Sequence, residues 1–315
     1  HNPHDRQIMI RGKNMLRNMN TVLPSLFPWF GQKNIINTLS HLKQAVTDVK
    51  NNPFYPLLKQ SVQKKISTFP GKLVGISIAG TDQIKNSFLI ARLIKEQRPD
   101  IKIVMGGAFI PYIQDILRGN PKWPELDFIV NGEGETALYK LFIAINENRN
   151  FNNIPNLIYP ESDGKYYANQ MGHIEDMDTL PPPDYSDFPL DRYLLQPCYL
   201  AYVSSRGCIW NRCAFCSQAC NYGHRYHQRS TAKVISDIKH LQEQYNIQYL
   251  NFNDESISPK RLLDISSQLT ENNIKLRWLA LLRLDKAFTS YHFKQAYKAG
   301  LRMISFLFTS IFSLA

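Results

Sequence analysis

Hydrophobic positions along the chain change texture near residue 70. Before it, helical spacing is visible over 33–49 and 56–68, interrupted by Pro24, Pro28, Pro53 and Pro70. From residue 72, short β-branched runs alternate with segments whose apolar residues recur at helical spacing. Strands are expected over 73–78, 101–105 and 126–130, and helices over 84–97, 110–118 and 137–147. Such β-α repetition with right-handed crossovers gives a doubly wound parallel sheet. All three strands run into glycine: Gly80, then Gly106 and Gly107, then Gly132 and Gly134. Ligands of open α/β sheets sit beyond the carboxyl ends of the strands. Glycine there lets backbone approach a ligand, although ordinary tight turns need it as well.

The pattern loosens over 151–195. Residues 155–160 read as an edge strand and Asp163-Gly164 as a turn. Leu180-Pro181-Pro182-Pro183-Asp184-Tyr185 is a stiff extended spacer, and the domain boundary falls here. The alternation then resumes, with strands over 199–204, 247–252, 275–281 and 303–308. Helices lie between them at 232–245, 259–272 and 290–299. This resembles the start of a barrel with its chemistry at strand ends, but about four strands do not complete one.

Composition narrows the class. The 315 residues are 43% hydrophobic and 20% charged, as in a folded globular protein. No apolar run is long enough to span a bilayer and no secretory leader is visible, so a cytoplasmic location is expected. The net charge of +11 is spread along the chain without basic blocks, which speaks against nucleic acid as a partner. All five cysteines follow residue 197, an arrangement of metal or redox chemistry, not of a disulfide framework.

Three of them, Cys208, Cys213 and Cys216, stand in one loop directly after the strand over 199–204. Thiolates at this spacing suit an iron–sulfur cluster or zinc. A cubane held by three cysteines leaves one iron open to an exogenous ligand. Zinc asks for a fourth ligand, for which Cys220, His224 and His227 are candidates. Spacing alone leaves both open, although no second Cys-x-x-Cys knuckle is present.

The run Ser205-Arg206-Gly207-Cys208, continued by Cys213-Ala214-Phe215-Cys216, resembles the cluster loop of the radical S-adenosylmethionine superfamily. Its usual Cys-x3-Cys-x-aromatic-Cys spacing is lengthened here by one residue in the first gap. Residues 74–79, Gly106-Gly107 and Val130-Asn131-Gly132-Glu133-Gly134-Glu135 resemble the cobalamin-binding-type domain preceding the barrel in one subclass, and 180–188 resembles that subclass's linker. The resemblance covers about residues 70–305. It implies a Rossmann-like doubly wound sheet of cobalamin-binding type, followed by an incomplete radical S-adenosylmethionine (β/α) partial barrel. The implied division is 1–70 as a helical preface or remnant, 71–150 as the cobalamin-binding-type domain, 151–195 as connector and 196–315 as the first part of the barrel.

The resemblance also implies roles. Cys208, Cys213 and Cys216 would hold a [4Fe–4S] cluster whose open iron chelates the methionyl amine and carboxylate of S-adenosylmethionine. Phe215 would lie near the adenine, Asp254 and Glu255 would meet the methionyl ammonium, and Arg283 would reach the carboxylate or ribose. For Asp254 and Glu255 the rival role is capping the helix near Pro259, and for Arg283 a surface salt bridge. Ser77, Gly80, Gly106, Gly107, Gly132, Glu133 and Gly134 would face cobalamin. An electron donor of flavodoxin or ferredoxin type and a small-molecule or peptide substrate are implied as partners. The implied reaction is reductive cleavage of S-adenosylmethionine to a 5′-deoxyadenosyl radical for substrate modification, C-methylation among the options.

Two departures qualify this. No Asp-x-His-x-x-Gly segment is present, so cobalamin would be held without that lower ligand, or the domain keeps its fold without the cofactor. The segment after 306 lacks the glycine-glutamate-serine-like strand of the family, and the expectation is a truncated chain. The alternative function is then a catalytically inactive remnant around a cluster, or a structural zinc protein. A methylthio-transferring relative is disfavoured, because its additional N-terminal cluster cysteines are absent.

Overall fold

A computed structural model describes residues 38–50, 52, 54–117, 123–193, 199–213, 216, 225–283 and 286–307. They fall into two compact units, one running through Ile174 and the other from Glu175 onward.

In the first unit, helices α1 (Leu39–Thr47) and α2 (Tyr55–Ile66) precede β1 (Leu73–Ser77), α3 (Thr81–Gln97), β2 (Lys102–Gly106), α4 (Ile110–Leu117), β3 (Phe128–Val130) and α5 (Glu135–Asn146). A hairpin, β4 (Leu157–Pro160) and β5 (Tyr166–Ala168), follows. The sheet order is β1-β2-β3-β4-β5, with β1, β2 and β3 parallel and the hairpin added antiparallel. Alternation along the central strands supplies two cores. Ile103, Met105 and Ile129 pack under the helices up to α4, whereas Val104, Phe128 and Val130 pack with Ala137 and Leu141 of α5. Helices therefore cover both faces, as the mixed pattern of the strands requires.

The connection from β2 depends on a close crossing. Gly107 has φ +107°, and a Cβ there would stand 2.5 Å from the carbonyl oxygen of Ile78. Only glycine fits such a crossing.

In the second unit, β6 (Leu200–Tyr202), β9 (Tyr249–Phe252), β10 (Arg277–Arg283) and β11 (Leu301–Leu307) form a wholly parallel sheet in the order β11-β10-β9-β6. Between β6 and β9, a two-stranded ribbon pairs β7 (Ser205–Arg206) with β8 (His227–Gln228). Helices α6 (Thr231–Tyr245), α7 (Pro259–Glu271) and α8 (Ser290–Lys298) connect the remaining strands. Their apolar stripes meet one face of the sheet, where Leu250, Phe252, Trp278, Ala280 and Leu282 are buried. The intervening Leu279, Leu281 and Arg283 stay partly exposed on the other face. One-sided helix cover on a parallel sheet is the layering of a barrel wall.

Helix starts are capped by side chains. Ser230 Oγ accepts from Lys233 N at 3.1 Å, and Ser258 Oγ accepts from Arg261 N at 3.2 Å ahead of Pro259. Asn246 ends α6 in the left-handed conformation.

The proline segment is tied down within the second unit. Arg229 donates to the carbonyls of Leu180 and Pro181 at 2.9 and 3.2 Å, and Ser230 N donates to Asp178. Tyr245 Oη donates to Asp184 and accepts from Tyr185 N. Arg229 is itself paired with buried Asp237 at 3.0 Å, and the Tyr202 hydroxyl donates to the same carboxylate. Among the described residues, no helix is long and apolar enough to cross a membrane.

Candidate functional site: the cysteine loop and the end of β9

The cysteine loop leaves the sheet at the carboxyl end of β6 and returns through β8. Pairing of Ser205 with Gln228 and of Arg206 with His227 closes its base. Gly207 makes this possible: its φ is +77°, and a Cβ would lie 2.1 Å from the Arg225 carbonyl oxygen. Beyond this base Cys208, Cys213 and Cys216 are free thiols, all partly accessible. Asn211, in the lengthened first gap, takes a left-handed conformation with φ +47°, and the Cys216 N–H donates to the Cys213 carbonyl at 3.1 Å. Phe215, Cys220 and His224 lie outside the described residues.

The three thiols are within electrostatic reach of one another. Burial, then the neighbouring Cys216 and Cys208, push the Cys213 thiol up, while the Arg283 cation works against them. Arg283 ends β10 with its guanidinium 4.3 Å from the centre of the Trp210 ring, and Arg212 approaches the same ring at 5.6 Å. The structure thus brings Arg283 to the cysteine loop itself. Among the described residues, no three metal-ligating side chains converge closely enough to hold an ion. The donor set nonetheless fits a thiolate-bound metal or cluster, since free accessible thiols on one base-closed loop are the groups that draw together on binding.

Asp254 and Glu255, adjacent in sequence, part ways in space. Asp254 is 1% exposed, and its carboxylate accepts from Ser204 N at 2.7 Å, Ser204 Oγ at 2.6 Å and Ser205 Oγ at 2.7 Å. Burial pushes the carboxyl up, against the serine hydrogen bonds and the cation of Arg261. The capping role weighed for the pair belongs instead to Ser258. Glu255 is only half-buried, and burial followed by the charge of Asp254 raises its carboxyl.

The raised Glu255 carboxyl has a stability consequence. A group that binds its proton more tightly when folded contributes fully below the ordinary carboxylate range and loses that contribution as pH rises through the folded value. Glu255→Gln is therefore expected to raise the melting temperature slightly at pH 7. The gain should vanish in thermal scans at acid pH, where both chains carry a neutral side chain.

In the first unit, Ser77 and Gly80 follow one another at the carboxyl end of β1, Ser77 exposed and Gly80 with open space beside its Cα. Gly106 and Gly107 end β2, and Gly132, Glu133 and Gly134 follow β3. Since β1, β2 and β3 are parallel, these loops share one end of the sheet. The loop after β3 is organised by Asn156, which is fully buried with φ +58°. Its amide donates to the carbonyls of Glu133 and His173, and its oxygen accepts from Gly172 N and His173 N. An asparagine in an -Ile-Pro-Asn-Leu- context carries no signal for this role in sequence.

No family model matches the chain. Curated relatives do. An uncharacterized methyltransferase of Pyrococcus horikoshii is 28% identical over 227 residues, covering 71% of this chain and 49% of that protein. The anaerobic magnesium-protoporphyrin IX monomethyl ester cyclase of Rubrivivax gelatinosus is 28% identical over 231 residues, covering 70% and 40%. Among solved structures, the radical S-adenosylmethionine methyltransferase TsrM of Kitasatospora setae, with tryptophan substrate and a cofactor analogue bound, aligns with a TM-score of 0.63 at 18% identity. It covers 87% of this chain and 57% of its own. The cobalamin-dependent radical enzyme OxsB, with aqua-cobalamin and S-adenosylmethionine bound, aligns at 0.60 and 18%, covering 87% and 41%. The chain is thus similar in sequence to these methyltransferase and cyclase relatives, and in fold to radical S-adenosylmethionine enzymes that carry a cobalamin-binding domain. Its fold is accordingly a Rossmann-like sheet followed by part of a radical S-adenosylmethionine barrel. It spans about half or less of the length of these curated relatives.

Proposed function

We propose that this chain carries the cluster and cofactor sites of a cobalamin-dependent-type radical S-adenosylmethionine enzyme that modifies a small molecule, C-methylation being the favoured outcome. One observation carries the reading: three free thiols on a base-closed loop, set at the carboxyl end of the first strand of a one-sided parallel sheet. In it Cys208, Cys213 and Cys216 hold a [4Fe–4S] cluster. When bound, that cluster supplies the electron that cleaves S-adenosylmethionine to methionine and a 5′-deoxyadenosyl radical.

The protein's contribution is binding, orientation and exclusion of water. Half-buried Glu255 is the acceptor for the methionyl ammonium, a charge-assisted bond that would keep its carboxyl ionised. Arg283 adds positive charge beside Cys213, which favours the thiolate form that ligation requires. Phe215 is assigned to the adenine. Cobalamin is assigned to the loops holding Ser77, Gly80, Gly106, Gly107, Gly132, Glu133 and Gly134, where Ser77 and Gly80 leave accessible space. In domain terms, 71–150 carries that site, 151–195 connects, and 196–315 carries the cluster. The substrate class is supported by TsrM, whose structure holds tryptophan. The electron donor is a flavodoxin- or ferredoxin-like protein, in keeping with a cytoplasmic location and a chain of net charge +11.

Anaerobic reconstitution followed by incubation with reductant and S-adenosylmethionine tests this. Formation of 5′-deoxyadenosine is expected; a loaded cluster that never yields it overturns the catalytic reading. Cys220→Ala should leave iron content unchanged, whereas loss of all metal on that change would support a four-ligand zinc site.

A further inference from the structure

We propose that Asp254 is a positioning residue for the cysteine loop: its carboxylate locks Ser204 and Ser205 so that Cys208 starts from a fixed point, and it does not contact S-adenosylmethionine. This rests on the cluster reading of the loop, but the geometry behind it does not.

The direction of the side chain follows from strand alternation. Leu250 and Phe252 of β9 are buried against the helices, while Asn251 and Asn253 point to the opposite, more exposed face. Asp254 continues the buried series and is 1% exposed. An acidic side chain there offers no accessible surface to a cationic ligand. Both of its oxygens are engaged instead, Oδ1 by the Ser204 N–H and Oδ2 by the hydroxyls of Ser204 and Ser205. A buried carboxylate left without such donors would be costly, so the serines and the aspartate fix one another.

Other elements converge on the same two residues. The Ser204 carbonyl accepts from Arg229 N at 2.9 Å, and the Arg261 guanidinium, 3% exposed overall, lies 3.4 Å from it. Ser205 is paired through β8, and Gly207 packs directly against the Arg225 carbonyl. The loop entrance is thus held from β9, α7 and β8 at once, immediately before the first thiol. Ligand geometry at a metal is set by the groups that orient the ligands, and the orienting contact here comes from the carboxyl end of a different strand.

The test compares wild type, Asp254→Ala, Asp254→Asn and Ser204→Ala as full chains. Amide hydrogen exchange is read over 204–206 and 227–228 without metal; iron retention and S-adenosylmethionine affinity per cluster are read after anaerobic reconstitution. For Asp254→Ala, exchange at the loop base should accelerate roughly tenfold or more. Iron retention should fall, while cofactor affinity of the fraction that does load stays unchanged. Asp254→Asn, which keeps one acceptor, should recover part of both losses, and Ser204→Ala should reproduce a milder form of them. If Asp254→Ala fails to fold, the Asn and Ser204 variants decide by the same readouts. Wild-type exchange and iron content together with lost cofactor affinity would overturn the inference and make Asp254 a cofactor ligand. A wild type that takes up no iron would remove the cluster reading alone, since the metal-free exchange comparison still decides what Asp254 does to the loop.

Discussion

The Cys213→Ala chain is expected to leave anaerobic reconstitution without a retained cluster. Two thiolates cannot hold a cubane that already leaves one position to an outside ligand. The loss should be chemical and local. Cys213 is partly exposed, and the hydrogen bond it makes to Cys216 uses its backbone carbonyl, which alanine keeps. Away from buried features, such substitutions cost no more than about 0.5 kcal/mol. Circular dichroism and urea midpoint should therefore match wild type while iron and sulfide fall to background. An unchanged iron count would remove Cys213 from the ligand set.

The second large effect lies away from the thiols. Arg229→Ala should lower stability by about 3–5 kcal/mol, the usual cost of breaking a buried ion pair by removing one partner. The side chains of Arg229 and Asp237 are 7% and 1% exposed. Truncation leaves the Asp237 carboxylate with Lys233 at 2.8 Å and the Tyr202 hydroxyl, which places the loss toward the lower end of that range. It also frees the carbonyls of Leu180 and Pro181, so proteolysis within 178–185 should accelerate alongside the fall in urea midpoint. Arg229→Lys should rescue little, because a single ammonium cannot span two carbonyls and a carboxylate as the guanidinium fork does. A wild-type midpoint for Arg229→Ala would show that the pair does not anchor the proline segment.

Much of the fold was legible because its strands are short apolar runs and its helices carry apolar stripes. Where boundaries moved, the cause is specific. Helix α3 begins at Thr81, not at residue 84, since its first turn (Thr81, Asp82, Gln83) is polar and shows no period. Helix α5 likewise opens on Glu135-Thr136. Strand β11 starts at Leu301, where Arg302 had interrupted the apolar run. The β7–β8 ribbon could not be read, because two-residue strands separated by a long loop have no pattern of their own.

The site divides in the same way. Cysteine spacing is explicit in sequence, and so is the acidic pair after β9. What each carboxylate does depends on which face it takes, and nothing in Asn253-Asp254-Glu255 announces that. A signal was nevertheless present on the helices. Asp237 stands among Val234, Ile235, Ile238 and Leu241, and Arg261 beside Leu262 and Ile265. A charge inside an apolar stripe asks for a buried partner. Asp237 finds Arg229 and Tyr202, and Arg261 finds the Ser204 carbonyl at the mouth of the cysteine loop.

Metal and sulfide analysis of the anaerobically reconstituted chain, with electron paramagnetic resonance of the reduced protein before and after S-adenosylmethionine, addresses the central claim most directly. The account predicts about four iron and four sulfide per chain, and a cluster spectrum that changes when the cofactor is added. Stoichiometric zinc without iron, or a cluster spectrum indifferent to the cofactor, would contradict it.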